Sequence, residues 1–150
     1  MDNRGNLYGT TSQGGRYVCY AGCGTVFKLA PIPPDFGDQW HETILYNFMK
    51  DAGGNGPGGG VVLDKSGNLY GTTVYGGSPQ CGCGVVYKLS PQPDGTWQYA
   101  VLHTFVGSDG AQPDANLTIG PDGNLYGTTA TGGTGGAGVV FQIQLTQSER

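Results

Sequence analysis

Apolar and polar positions alternate along this chain in short runs, and nothing recurs at helical spacing. "NLYGTT", "GTVFKL", "WHETILYNF" and "GVVLD" are each rich in Val, Ile, Tyr, Phe and Thr, and each is bounded by Gly, Pro, Asp or Asn. That is the signature of short strands joined by turns. No window sustains apolar residues three and four apart, and glycine interrupts every stretch that could extend into a helix. The pattern predicts an all-β chain.

The runs come in a fixed order that repeats. "GNLYGTT" occurs identically from residues 5, 67 and 123, so the copies stand 62 and then 56 residues apart. A Gly-Gly pair follows each copy, then a second apolar run: "GTVFKL" at Gly24–Leu29, "GVVYKL" at Gly84–Leu89, "GVVFQI" at Gly138–Ile143. Two copies continue to a tryptophan and a third run, Trp40–Phe48 and Trp97–Phe105. The complete middle unit reads as four strand positions: A (Gly60–Asp64), B (Asn68–Thr73), C (Gly84–Ser90) and D (Thr96–Phe105). A tight turn joins A to B, with Gly67 in the left-handed conformation. Four antiparallel strands per unit is the blade pattern of a β-propeller. The expectation is therefore a propeller-like chain of about three repeats (1–59, 60–115, 116–150), with the first blade lacking A and the last lacking D. Within B, Leu69, Gly71 and Thr73 share one side and Tyr70 and Thr72 the other. Gly71 reads as room for a neighbouring blade, and the motif as architecture.

Composition sharpens this. Gly (30) and Pro (9) are abundant enough to suggest disorder, but their placement between periodic runs makes them turn positions. Seven basic against eleven acidic residues, net −4, leave no basic patch for a phosphate backbone, so nucleic acid is not an expected partner. No apolar run approaches the roughly 18 residues of a membrane helix. No secretion signal opens the chain, which begins inside the first repeat motif and reads as a slice of a longer repeat protein.

The four cysteines occupy matching places in two copies, Cys19 and Cys23, then Cys81 and Cys83. Pairing between units would span packed sheets about 10 Å apart, beyond the reach of a disulfide. Cys19–Cys23 and Cys81–Cys83 are the expected bridges, each closing its own B–C loop, as suits an oxidising compartment. A zinc site is the rival reading, but one of the two pairs has a single intervening residue, and no metal or cofactor is expected.

In a four-stranded meander the long B–C and D–A loops fall at one end, where binding usually sits. Candidate ligand-binding residues there are Tyr17, Tyr20, Tyr75, Asp51, Asp109 and Asn116, since tyrosines beside amides and carboxylates suit sugar rings. Candidates for catalysis are few: Asp109, Asp114 and His103, which breaks the repeat where the first copy has Tyr46. A polysaccharide-cleaving enzyme needs such groups to converge in one cleft. Asp2 and Asp64 read as repeated turn residues.

The pattern "D-x-x-GNLYGTT…GG…CG-x-V-[FY]-KL-x-P…W" resembles the GloVer-type tandem repeat of bacterial surface and secreted proteins, along nearly the whole chain. The resemblance implies an extracellular, propeller-like repeat protein and carries over no catalytic residue. The leading functional expectation is a non-catalytic module binding glycans or partner proteins through the B–C and D–A loops. The alternatives are a polysaccharide-active enzyme and a purely structural, assembly-forming protein. Incomplete end units, with Tyr8 and Tyr126 expected near the centres of their open faces, predict a homo-oligomer joined head to tail.

Overall fold

A computed structural model describes residues 1–17, 19, 22–32, 39–51, 53–147 and 149. Among them every regular element is a strand: β1 (Leu7–Thr11), β2 (Thr25–Pro31), β3 (Trp40–Asn47), β4 (Asn55–Pro57), β5 (Val62–Leu63), β6 (Leu69–Tyr75), β7 (Val85–Pro91), β8 (Trp97–Thr104), β9 (Thr118–Ile119), β10 (Leu125–Thr128) and β11 (Val140–Ile143). They form three antiparallel sheets, none closed on itself: β1-β2-β3, then β6-β7-β8 with β4 and β5 both on the free edge of β6, then β9-β10-β11. The strands assigned to positions A to D are all present. One more strand than expected appears, because part of the D–A linker is itself paired. Asn55 and Pro57 of β4 pair with Tyr75 and Thr73 of β6.

The sheets stack face to face, and strand alternation decides which side chains meet. The middle sheet turns Leu69, Val85, Tyr87 and Leu89 toward Val26 and Phe48 of the first. It turns Tyr70 and Val86 toward Leu125 and Phe141 of the third. Both faces of β6 and β7 are therefore buried. Each fully buried side chain of this size contributes about 1.5–3 kcal/mol. Aromatic rings extend the first junction: Tyr99 stacks on Tyr46 with centroids 4.3 Å apart, and Trp97 meets Tyr8 edge-on at 6.3 Å.

Two expectations are corrected. Tyr8 does not sit on an open face; it points into the first junction, because the odd-numbered residues of β1 are those that face away. Gly71 does make room, but for its own sheet. Its cross-strand partner is Tyr87, whose ring covers the glycine. The same pairing joins Gly9 to Phe27 and Gly127 to Phe141, where a Cβ would lie 2.7 and 2.5 Å from the ring Cζ.

Both expected disulfides are formed, Cys19–Cys23 and Cys81–Cys83. The C-terminal segment folds back on the middle sheet: Lys88 Nζ donates to the Glu149 carbonyl at 2.5 Å.

Candidate functional site

The asparagine and the tyrosine of the repeated motif are engaged within the turn that precedes each copy. Asp2 Oδ1 accepts the backbone N–H groups of Arg4 and Asn6, both at 2.9 Å, and Oδ2 accepts Asn6 Nδ2 at 2.8 Å and the Tyr8 hydroxyl at 2.9 Å. Asp64 does the same with Ser66, Asn68 and Tyr70. In the third copy the acid stands two positions nearer, and Asp122 receives Asn124 Nδ2 and the Tyr126 hydroxyl, both at 2.8 Å. Partial burial favours the neutral Asp2 acid, but the hydrogen bonds outweigh it and hold the carboxyl at about 2. Burial first, then the bond to Asp2, push the Tyr8 phenol up to about 12. The Asp–Asn–Tyr cluster gives Asn and Tyr of the motif a structural task. Its signal in the sequence was the D-x-x-x-N-x-Y spacing of the first two copies.

A cleft lies at the opposite end of the strands. The linker after β3 supplies Lys50, Asp51 and Asn55; β6 supplies Tyr75; and the loop after it supplies Gly76–Pro79, Cys81 and Gly82. The cleft holds about 590 Å³. Pairing of Asn55 with Tyr75 fixes the two walls relative to each other, and the Cys81–Cys83 bridge fastens the loop. Tyr75 stands at the rim with 54% of its surface exposed. Asp51 Oδ1 accepts the Gly53 N–H at 2.7 Å, which points the carboxylate along the linker. The Tyr46 phenol is pushed up by burial first, and then by electrostatic interaction with Asp51 and Tyr17.

The structure thus brings Asp51 and Tyr75 into one cleft, and Tyr17 is not among its lining residues. Tyr20 lies outside the described residues. Asn116 and Asp114 lie elsewhere, on the seam between the second and third sheets: Asn116 Oδ1 accepts the Gly60 N–H at 2.6 Å, and the Asp114 backbone lies against Gly58. Asp109 pairs with His103, Oδ2 to Nε2 at 2.9 Å, while its Oδ1 accepts the Val106 N–H. Neither lines the cleft. The counterpart of His103 in the first sheet, Tyr46, stacks instead on Tyr99 of the next sheet. Lys50 and Ser78 were missed as cleft residues, since neither repeats nor carries aromatic surface. Among the described residues no group of three His, Cys, Asp or Glu side chains is placed to hold a metal ion.

Comparison with known proteins adds one match: the family model described as the Gloeobacter/Verrucomicrobia repeat covers residues 1–150. No curated protein and no solved structure matches the chain.

Proposed function

The chain belongs to the Gloeobacter/Verrucomicrobia repeat family, and from that premise we propose that it is a non-catalytic, extracellular repeat module that binds glycans through the cleft between Asp51 and Tyr75. The three sheets act as successive propeller-like blades, the repeats being 1–59, 60–115 and 116–150. The observation that carries the reading is the cleft's make-up. A half-exposed tyrosine ring can stack on the apolar face of a sugar, while Asp51, Lys50, Asn55 and Ser78 supply hydrogen-bonding groups for its hydroxyls. Two disulfides in so short a chain support an oxidising location. Among the described residues the cleft holds a single carboxylate, Asp51, whereas cleavage of a glycosidic bond commonly needs two.

The test is calorimetric titration with a panel of soluble polysaccharides. Binding that falls at least about tenfold in Tyr75→Ala and in Asp51→Asn, with no new reducing ends released, is the expected result. No binding across the panel sinks the reading. Reducing ends that stop appearing in Asp109→Ala would replace it with an enzyme built on the His103–Asp109 pair.

A further inference from the structure

The two disulfides sit in unlike surroundings. Cys19 packs, with Leu45 and Tyr46, against the first core cluster, and its partner Cys23 is buried. Cys83 is also buried, within the second cluster. Cys81 is solvent-exposed and lines the cleft. A covered sulfur bonded to an accessible one suits thiol–disulfide exchange, in which an incoming thiolate must reach one sulfur while the other leaves.

The Cys81–Cys83 bond is not what closes its loop. Gly84 N–H donates to the Gly76 carbonyl at 3.0 Å, and Gly82 N–H to the Ser78 carbonyl at 2.7 Å. The third copy has no cysteine, and Ala137 stands where Cys83 does. Yet Gly138 N–H donates to the Gly132 carbonyl at 3.1 Å in the same way. The backbone bridge of Gly76 with Cys83 likewise recurs between Gly132 and Ala137. A ring of so few residues also removes little freedom from the unfolded chain. The loop can therefore lose this bond and keep its path. Cys83 stays anchored, since its carbonyl accepts Gln112 N–H at 2.9 Å. The Phe105 carbonyl, 3.8 Å from Cys81 Sγ, is placed to accept the weak S–H donor that reduction creates.

We infer that Cys81–Cys83 is an exchange-active disulfide whose substrates are dithiols and whose attacked sulfur is Cys81. A substrate thiol ionises and its thiolate attacks Cys81 Sγ; Lys50, lining the same cleft, attracts that negative charge. The Cys81–Cys83 bond breaks, and its electron pair leaves on Cys83 Sγ, which takes up a proton. The substrate's second thiolate then attacks the first substrate sulfur in the mixed disulfide and releases Cys81, which is protonated in turn. The dithiol is oxidised to a disulfide and the Cys81–Cys83 bond is reduced to two thiols, with electrons and protons balanced. The inference shares the cleft with the proposed glycan site but does not rest on it, because it needs only access to Cys81.

The test treats the folded chain with dithiothreitol in the absence of denaturant. Free thiols are trapped by alkylation at successive times and located by peptide mass spectrometry. Cys81 and Cys83 are expected to become labelled at least about tenfold faster than Cys19 and Cys23. Near-UV circular dichroism should stay unchanged, with oxidised dithiothreitol appearing in step with the first pair. Labelling of both pairs together, or only as the dichroism is lost, overturns the inference. A second measurement assigns the attacked sulfur. With oxidised glutathione, the Cys83→Ala chain should form a mixed disulfide at least about tenfold faster than the Cys81→Ala chain. Equal rates would overturn the role of Cys81. Neither measurement involves a glycan, so failure here and failure of the glycan reading are told apart.

Discussion

The hydroxyl of Tyr87 is buried against Gly71 and has no hydrogen-bond partner. Its ring is needed there, since it fills the space the glycine leaves, but the oxygen is not. The first and third copies put Phe27 and Phe141 in the same place. A buried hydroxyl without a partner costs about 1–3 kcal/mol. Tyr87→Phe is therefore expected to stabilise the fold by about 1 kcal/mol, read as a higher urea midpoint at unchanged slope. An unchanged midpoint would mean that the hydroxyl is satisfied in solution.

The reciprocal change at Gly71 is expected to be harmful. A Cβ there would lie 2.6 Å from Tyr87 Cζ in a layer packed on both faces. Overpacking of this kind costs about 1–3 kcal/mol. Gly71→Ala should lower the midpoint accordingly, and Tyr87→Leu in the same chain should recover part of the loss. Equal penalties for Gly71→Ala with and without Tyr87→Leu would show that the two side chains do not compete.

The Asp2–Tyr8 pair sets opposite pH limits on the first turn. The Asp2 carboxyl is held at about 2, below its ordinary 3.8. Its contribution is complete above the unfolded value and is lost as pH falls through that window. Tyr8 is raised from 10.0 to about 12, so its contribution is complete below pH 10.0 and is lost as pH rises toward 12. Carboxyl-carbon NMR should show Asp2 titrating near 2, and Asp2→Asn should lower the Tyr8 titration. A Tyr8 midpoint that does not move in Asp2→Asn would refute the coupling.

Much of this fold was legible because strands announce themselves by alternation and glycines by punctuation. The four positions of the middle unit emerge within a residue or two of β5, β6, β7 and β8, and both disulfides follow from spacing. The side on which a neighbour sits was not legible. Alternation separates Tyr8 from Leu7, but which of them meets the next sheet depends on the hand of the stack. Strand β4 was hidden for another reason. Asn55, Gly56 and Pro57 have no apolar alternation, and their pairing comes from being carried past the edge of β6. The cleft was half legible: Asp51 and Tyr75 were in the right loops, while Asn116 and Asp114 lie on the inter-sheet seam and Asp109 is engaged by His103.

The linkers between sheets offer the last test. Gln112 is the only non-glycine residue with a positive φ among those described, at 56°, and Gly56 holds the same place in the first linker at 61°. Both positions bridge two sheets. Gln112 N–H donates to the Cys83 carbonyl at 2.9 Å and its carbonyl accepts Ala130 N–H at 3.0 Å; Gly56 N–H donates to the Cys23 carbonyl at 2.8 Å. The left-handed conformation costs a residue with a Cβ about 1–2 kcal/mol. Glycine avoids that cost but loses roughly 0.5–1 kcal/mol through the freedom of the unfolded chain. Gln112→Gly is thus expected to be neutral to slightly stabilising. Gln112→Val, β-branched where the backbone is left-handed, should be clearly destabilising. At Gly56 an added Cβ would also lie 3.2 Å from Tyr75 Cδ2. Gly56→Ala should therefore shift the rim tyrosine and weaken ligand binding more than the matched change Gln112→Ala, which leaves Tyr75 untouched. Paired denaturation curves and titrations read both effects, and equal affinity in the two alanine variants would separate Tyr75 from the binding cleft.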